Sequence, residues 1–367
     1  MFILNKNLKI AVFITSHGFG HGTRACAVLN QITKSRTCEF DIFSTLPNWF
    51  FYQNLPNLKL NLHPTQTDVG LIQKNPFVHD LIASLNQLKE FTQFNNSSFL
   101  KSLKIVQNKK FDLIISDISP LGLEIGNQTG IPSILIENFT WDWIYQQHCK
   151  TYPAFNKIIE ILKKSFSYAD LHIQTTPFCK AMELATQTLP VARKVKKSAN
   201  EIRYDFGLKE DAKLILLTTG GITQKLKLNE CIQKEKDITF LTTTESKSIT
   251  HNQNIISIPL NSNVHYPDLV NTANLVVGKV GYGTLAECWS TDTPLLGCYR
   301  SDFRESQVLL NFATEKLEHE EITVKEFEEM SWIQQARELM KGTTHEKSPP
   351  DRTGVSVASE AIIRLVA

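Results

Sequence analysis

The sequence predicts an α/β protein with two Rossmann-like, parallel-sheet domains that face each other across a cleft. Its 367 residues exceed the size of one ordinary domain. Short apolar segments alternate with amphipathic helical segments, which is the pattern of parallel strands covered by helices. The alternation stops at the polar, basic stretch Leu189–Gly207 and then restarts. We therefore expect an N-terminal domain at 1–190, a connector at 191–210, a C-terminal domain at 211–350, and a closing helix at 351–367 that can cross back to the first domain.

Each half has five apolar runs of strand length. In the first half the predicted strands are Leu8–Thr15, Glu39–Thr45, Phe111–Ser116, Ile131–Glu137 and Asp170–Thr175, with helices at Gly22–Lys34, Leu121–Thr129 and Asn156–Phe166. In the second half the strands are Leu214–Thr219, Ile238–Thr243, Ile255–Leu260, Leu275–Val280 and Leu295–Tyr299, with helices at Tyr266–Ala273, Gly283–Ser290, Glu305–Phe312, Glu326–Met340 and Ser356–Leu365. Ligands of such sheets bind at the carboxyl ends of the strands, so we expect functional residues in the loops that follow them.

Composition excludes several classes of protein. The net charge of +2 is too small for a nucleic-acid-binding surface. No run of about 18 apolar residues is present, so no transmembrane segment is expected. The seven cysteines form no C-x-x-C pair, as expected for reduced thiols in a cytoplasmic protein. Composition leaves open the oligomeric state and peripheral contact with a membrane.

A glycine-rich loop follows the first strand. Gly18 and Gly20 allow a tight turn, and the N-terminus of the helix that follows favours an anion. The loop is not a Walker loop. It also lacks the third glycine of a dinucleotide fingerprint, because Thr23 stands there, so a nicotinamide cofactor is not expected.

The same loop carries two histidines. His17 and His21 lie at the edge of the predicted cleft, where a neutral imidazole can accept a proton from an attacking hydroxyl. His21 is the preferred general base and His17 the second candidate; the alternative is that one of them only hydrogen-bonds the loop. A metal is not expected, because no third ligand lies nearby and the sequence contains no D-x-D.

A second glycine loop follows the strand that ends near Val280. Gly281, Gly283 and Thr284 place backbone and hydroxyl donors at a helix N-terminus, an arrangement suited to a diphosphate. Glu287, predicted in the first turn, can accept bonds from ribose hydroxyls; the alternative is a capping box with Thr284. The pair Gly220-Gly221 either faces the cleft or forms only a turn.

The stretch from Gly278 to Asn311 resembles the nucleotide-sugar motif of GT-B glycosyltransferases, in particular the glycosyltransferase-28 and MurG-like branch. The resemblance implies a diphosphate loop, a ribose-binding glutamate at Glu287 and a sugar-contacting glutamine at Gln307. It assigns nucleotide-sugar binding to Lys279, Gly281, Tyr282, Gly283, Thr284, Glu287, Asp302, Glu305 and Gln307, and we add Gly220 and Gly221 to this set.

Three N-terminal segments, Ser16–Arg24, Ile115–Pro120 and Asn138–Tyr145, resemble the glycosyltransferase-like region of plant L-arabinokinases and its bacterial stand-alone relatives. The basic connector Val191–Leu208 is similar too. The glycine-rich ATP loop of the kinase domain is absent, so kinase activity is not expected.

Several residues of these segments are candidates for the acceptor side, namely Gly18, Gly20, Arg24, Asn138, Trp141, Asp142 and Arg193. Trp141 can stack on a sugar ring or pack in the core, and Asp117 is either a catalytic carboxylate or a helix N-cap. Arg193 lies in a basic run that is either a solvated connector or an anion contact.

Together these features predict an inverting, metal-independent transferase that moves a sugar from a nucleoside diphosphate, expected to be UDP, to an unidentified acceptor hydroxyl. The first alternative is a UDP-sugar 2-epimerase that uses Asp117 and Glu305. The second is a non-catalytic module that binds a nucleotide sugar.

Overall fold

The computed structural model describes residues 7–75, 78–209, 211–219, 230–343 and 353–366. The chain divides into two compact units. The first contains Met1–Val191, Asp302–Glu305 and Gly354–Ala367, and the second contains Ala192–Ser301 and Ser306–Thr353.

The first unit is built on a parallel sheet of seven strands. Its strands are β1 (Leu8–Ile14), β2 (Cys38–Ser44), β3 (Lys59–Pro64), β6 (Leu113–Asp117), β7 (Ser133–Glu137), β8 (Leu171–Thr175) and β9 (Thr186–Thr188), and β4 (Gln73–Asn75) and β5 (Val78–His79) form a small antiparallel pair. Its helices are α1 (Phe19–Ile32), α2 (Asn48–Asn54), α3 (Leu81–Phe91), α4 (Ser97–Lys109), α5 (Pro120–Thr129), α6 (Trp141–Tyr145) and α7 (Phe155–Phe166), with a 3-10 turn at Gln146–His148.

The order of the first sheet is β3-β2-β1-β6-β7-β8-β9. The order reverses between β1 and β6, which pair from Ile10 opposite Leu113 to Ile14 opposite Asp117. Loops that leave neighbouring strands in opposite directions open a crevice at such a reversal. The first glycine loop and Asp117 therefore lie where this sheet can bind a ligand.

The second unit repeats this design with another sheet of seven strands. Its strands are β10 (Lys213–Thr218), β11 (Ile238–Thr244), β12 (Thr250–Asn252), β13 (Ile255–Pro259), β14 (Leu275–Lys279), β15 (Leu295–Cys298) and β16 (His319–Ile322). In the described part of this unit, the β12–β13 pairing is antiparallel and the other pairings are parallel. The helices are α8 (Ala199–Asp205), α9 (Glu230–Gln233), α10 (Tyr266–Thr272), α11 (Tyr282–Thr291), α12 (Glu305–Lys316), α13 (Val324–Glu329) and α14 (Ile333–Leu339). The order β12-β13-β11-β10-β14-β15-β16 reverses between β10 and β14, beside the second glycine loop.

Gly278 allows β14 to approach β10 closely at this reversal. Its φ is 146°, and a Cβ built there would lie 1.8 Å from the carbonyl oxygen of Thr218. We expect Gly278→Ala to lower the free energy of unfolding by about 2–5 kcal/mol, because the methyl group adds both backbone strain and a steric clash. Urea unfolding measures the loss. Gly281→Ala is the control, since a Cβ there meets nothing within 4 Å, and equal losses in the two variants would contradict the clash.

The last helix, α15 (Val355–Leu365), lies in the first unit. Val355, Ala358 and Ile362 are buried in the same cluster as the apolar residues of α1 and β1. The spacing of these apolar residues explains why one face of α15 is buried, since positions three and four apart share one helix face.

Several elements differ from the sequence prediction. The helix α1 begins at Phe19 instead of Gly22, so Gly20 lies within its first turn and not in the loop. The segment predicted as one helix, Glu326–Met340, is two helices, because Met330 adopts a left-handed φ of 57°. The elements from α2 to α4, with the β3 strand, had no prediction: the aromatic residues of α2 are consecutive and show no helical spacing, and β3 is partly exposed along its length. In the described residues, no helix is both long and apolar enough to span a bilayer.

Candidate functional site

His21, Arg24 and Asp117 meet at the reversal point of the first sheet. The N-cap of α1 is Gly18, whose φ of 80° lets the chain turn directly from β1 into the helix. His21 and Arg24 are three residues apart on α1, so they share one face of the helix. That face is directed at Asp117, the last residue of β6. The Asp117 carboxylate is 2.9 Å from His21 Nδ1 and accepts bonds of 2.8 and 2.6 Å from Arg24 Nε and Nη2.

Asp117 is buried and ionised. Burial by itself would raise its pKa, but the charge and hydrogen bonds of Arg24, together with His21, hold that pKa below its usual range. A carboxylate can only accept hydrogen bonds, so it favours the His21 tautomer that carries its proton on Nδ1. Arg24 Nη2 is a second neighbour of that nitrogen, at 3.1 Å. With the proton on Nδ1, the Nε2 atom carries the lone pair and can accept a proton.

Arg24 extends this network further into the first unit. Its Nη1 atom donates to Asn138 Oδ1 at 2.7 Å and to Thr175 Oγ1 at 3.2 Å. Asn138 Nδ2 in turn donates to Glu305 Oε1 at 2.6 Å. All of these side chains are buried, so the hydrogen bonds that link them act at low dielectric. The network gives His21 a fixed support.

His17 belongs to a separate cluster in the same unit. Its Nε2 atom is 3.6 Å from Asp68 Oδ1, and its ring meets the edge of Trp141 at a centroid distance of 5.0 Å. Trp141 Nε1 donates to Asp68 Oδ2 at 2.7 Å. Gly70, with a φ of 61°, leaves room for the imidazole, because a Cβ there would lie 2.0 Å from His17 Nε2. His17 is partly exposed, and Asp68 and Trp141 brace its ring.

The structure also places Asp117, Trp141 and Asp142 of the first unit. Asp117 is not a helix N-cap, since Ser119 caps α5. Trp141 is almost fully buried and packs in the core of the unit. Asp142 is half-buried, and burial raises the pKa of its carboxyl, while a hydrogen bond from Thr140 lowers it.

Two residues predicted for nucleotide-sugar binding make their contacts in the first unit. Asp302 Oδ2 is 2.7 Å from His79 Nδ1, and Glu305 joins the Arg24 network through Asn138. Both precede or begin α12, in the short segment Asp302–Glu305 that clusters with the first unit. The other residues predicted for nucleotide-sugar binding belong to the second unit.

In the second unit, the predicted diphosphate loop lies at the N-terminus of α11. Gly281 is the N-cap of this ten-residue helix, and Tyr282, Gly283 and Thr284 form its first turn. This corrects the capping-box alternative, because Thr284 lies inside the helix. Lys279 is buried at the end of β14. The helix N-terminus and the ammonium group are both suited to an anion.

Glu287 lies in the second turn of α11, not the first, and is paired with Arg193. The Nε and Nη2 atoms of Arg193 donate to Glu287 Oε1 at 2.8 and 2.6 Å. Burial raises the pKa of Glu287, and the Arg193 charge opposes that rise. Arg193, which the sequence grouped with the acceptor side and a solvated run, thus lies in the second unit beside the predicted ribose-binding carboxylate.

Gln307 is exposed and donates to Asn311 Oδ1 at 2.9 Å. Gly220 and Gly221 lie outside the described residues. Among the described residues, no group of three or more His, Cys, Asp or Glu side chains is arranged to hold a metal ion.

Sequence reasoning missed Asp68, Thr175 and His265. Asp68 and Thr175 support His17 and Arg24, and His265 packs beside the connector. Thr175 ends a predicted strand, which was a usable signal. Asp68 lies in an irregular loop with no pattern to mark it.

The chain is similar in sequence to a known protein, L-arabinokinase. No protein-family model matches the chain. L-arabinokinase of Arabidopsis thaliana is 25% identical over 311 residues, which are 84% of this chain and 30% of that protein. The chain thus spans less than a third of the length of this relative, and its similarity to L-arabinokinase confirms the predicted resemblance.

Solved structures with the same fold include glycosyltransferases. The glycotransferase of kitacinnamycin has a TM-score of 0.61 at 14% identity and covers 98% of this chain and 99% of its own. A UDP-glucosyltransferase from Polygonum tinctorium has a TM-score of 0.61 at 10% identity, with 99% of both chains covered. A putative UDP-N-acetylglucosamine 2-epimerase from Listeria monocytogenes has a TM-score of 0.57 at 11% identity, with coverage of 98% and 95%. The predicted α/β fold class, with GT-B architecture, is confirmed.

Proposed function

We propose that this protein is a glycosyltransferase that moves a sugar from a nucleoside diphosphate, UDP in the first instance, to an acceptor hydroxyl. The observation that carries the proposal is the 2.9 Å contact between His21 Nδ1 and the buried Asp117 carboxylate. It supplies an oriented imidazole whose second nitrogen can act as a general base.

The proposed reaction is a single displacement. The acceptor hydroxyl loses its proton to His21 Nε2 as its oxygen forms a bond to the anomeric carbon. The bond from that carbon to the diphosphate oxygen breaks, and the diphosphate leaves with the electron pair. One displacement inverts the anomeric configuration. The Asp117 carboxylate stabilises the imidazolium that forms.

The second unit would bind the donor. The N-terminus of α11 and Lys279 would take the charge of the diphosphate without a metal, since the dipole and the backbone N–H groups of a helix N-terminus favour an anion. Glu287 would accept hydrogen bonds from the ribose hydroxyls. UDP is the first choice of nucleotide because the Polygonum tinctorium enzyme of the same fold is a UDP-glucosyltransferase.

The direct test is release of nucleoside diphosphate from a panel of UDP-, GDP- and dTDP-sugars, with and without a pool of sugar, phenol and lipid acceptors. A transferase releases nucleoside diphosphate in an acceptor-dependent way, and NMR shows an inverted anomeric centre in the product. EDTA should leave the rate unchanged. Nucleotide binding with no turnover across the panel would instead indicate a binding module.

A second candidate function is epimerisation of a UDP-sugar. The buried Glu305 carboxylate, held by Asn138 in the same network as Asp117, is the acidic group that favours it. Asp117 is a poorer proton donor for this purpose, because Arg24 lowers its pKa and holds the carboxyl ionised. Proton NMR of a UDP-sugar incubated without acceptor separates the two: a new sugar isomer indicates the epimerase.

Nucleotide binding itself gives a further prediction. We expect saturating UDP, at about 100 times its Kd, to add about 2.7 kcal/mol to the stability of the wild type. That corresponds to a rise in Tm of a few degrees. Glu287→Gln should lose most of the rise, because the amide is a weaker acceptor for ribose hydroxyls. Glu160→Gln, an exposed surface change, is the control, and a full rise in Glu287→Gln would contradict the ribose role.

A further inference from the structure

The connector after the first unit is fastened to the second unit on both sides of Arg193. Ala192 packs in a buried apolar cluster with Tyr282 and Ala286 of α11. The carbonyl of Lys194 accepts a 2.9 Å hydrogen bond from the His265 ring. The amide of Lys196 donates to Asp268 Oδ1 at 2.7 Å. The backbone that carries Arg193 is therefore held in place before any ligand binds.

The guanidinium of Arg193 reaches from this fixed backbone to Glu287. The side chains of Arg193 and Glu287 are 10% and 4% exposed. A buried carboxylate of this kind depends on its cation to stay ionised, because the low dielectric favours the protonated form. Arg193 Nε and Nη2 converge on the single oxygen Oε1, which holds this end of the carboxylate in place.

We propose that Arg193 is a positioning residue for ribose recognition: it keeps Glu287 ionised and aims its carboxylate at the 2′- and 3′-hydroxyls of the nucleoside diphosphate. This inference rests on the proposed function of the same site. It assigns to a connector arginine the selectivity of the site for ribonucleotides over deoxyribonucleotides.

The opposite role, a plug that ribose must displace, fits the contacts less well. A displaced plug would have to leave by rotation of the Arg193 side chain alone, because the anchors at Ala192, Lys194 and Lys196 hold the backbone. Displacement would also leave a buried guanidinium and a buried carboxylate to find new partners, which is costly.

Glu287 is the acidic member of this ion pair, and burial raises its pKa while the Arg193 charge and hydrogen bonds oppose that rise. Burial, followed by the Arg193 charge, lowers the pKa of His265 to about 3, so its ring is neutral and donates to the Lys194 carbonyl. Burial raises the pKa of Tyr266 on α10, and the neighbouring Glu287 and Cys288 raise it further, so this phenol is neutral too. Asp268, whose pKa burial raises, is bonded to the connector amide and not to the ion pair. Loss of Arg193 removes the cation that opposes protonation of Glu287.

The test is isothermal titration of UDP and 2′-deoxy-UDP at pH 6, 7 and 8 into the full chain. The wild type should bind UDP about tenfold or more tightly than 2′-deoxy-UDP, because a hydrogen bond to a charged group is lost in the deoxy compound. Its affinity should change little with pH. In Arg193→Met the preference should fall to about threefold or less, and UDP affinity should rise as pH rises, since deprotonation of Glu287 restores the acceptor.

Two more variants complete the experiment. Arg193→Lys keeps the positive charge but replaces the planar guanidinium with a compact ammonium group. It should therefore recover the flat pH profile of UDP affinity and part of the preference for UDP over 2′-deoxy-UDP. Lys197→Met removes another connector cation, whose pair with Asp205 is exposed, and should behave as the wild type. Arg193→Met with tighter UDP binding would show a plug, and Arg193→Met with wild-type preference and a flat profile would exclude positioning. If the wild type itself binds no nucleoside diphosphate, the proposed function fails as well, which distinguishes that failure from a failure confined to Arg193.

Discussion

His21→Gln is expected to lower kcat for sugar transfer by about 10²–10⁴-fold, the usual contribution of a positioned general base. This equals about 3–5 kcal/mol of transition-state stabilisation. Glutamine cannot accept the acceptor proton, so the chemistry is removed, while the hydrogen bonds from Arg24 to Asp117 stay. The Kd for UDP should change less than twofold, because the proposed nucleotide site lies in the second unit. Steady-state kinetics and titration of UDP measure the two effects separately.

His251→Gln is the matched control, because His251 is exposed on the β12 strand. It should retain wild-type turnover. A His21→Gln variant with normal kcat would exclude His21 as the general base. The candidate base would then be His17, which lies beside Asp68 in the same unit.

Arg24→Met is expected to lower the free energy of unfolding by about 3–5 kcal/mol, the cost of leaving a buried carboxylate without its cation. The side chains of both Arg24 and Asp117 are 0% exposed. The loss should depend on pH. In the wild type the pKa of Asp117 is lowered, so its contribution is present above the unfolded-state value and is lost as pH falls through the folded-state pKa. In the variant, burial without Arg24 raises that pKa, so stability falls as pH rises. The difference between the two proteins should therefore be larger at pH 7 than at pH 4.

Urea unfolding at the two pH values measures this difference. Lys163→Met, which removes the cation of an exposed pair with Glu160, is the control and should have a small effect at either pH. An Arg24→Met variant no less stable than this control would mean that the network is not what holds Asp117.

The fold could be predicted because its signals are local. The buried runs of β1, β6, β10 and β14, for example, mark parallel strands wherever they occur, and the helices between them show their apolar spacing. Boundaries were less certain. The first helix was placed three residues late, because glycines that indicate a loop also fit a helix whose neighbours pack closely, as Gly22 does against Leu46 and Phe50.

The site could be predicted only in part. His21 and Glu287 follow predicted strands, and their chemistry can be read from residue type and position. Their partners cannot, because Asp117 is 96 residues from His21 and Glu287 is 94 residues from Arg193. No local pattern links residues so far apart, so Arg193 resembled any other cation of a solvated basic run.

The sequence by itself determined the two repeated α/β halves and the glycine-rich turns that follow β1 and β14. It also determined which residue types are available for proton transfer and anion binding. These depend on short-range spacing and on backbone preferences of single residues. Only the tertiary structure decided which carboxylate orients His21, that Arg24 keeps it ionised, and that a connector arginine holds Glu287. Those facts depend on the sheet order, which brings the carboxyl ends of non-consecutive strands together. They also depend on burial, because a buried charge requires a partner.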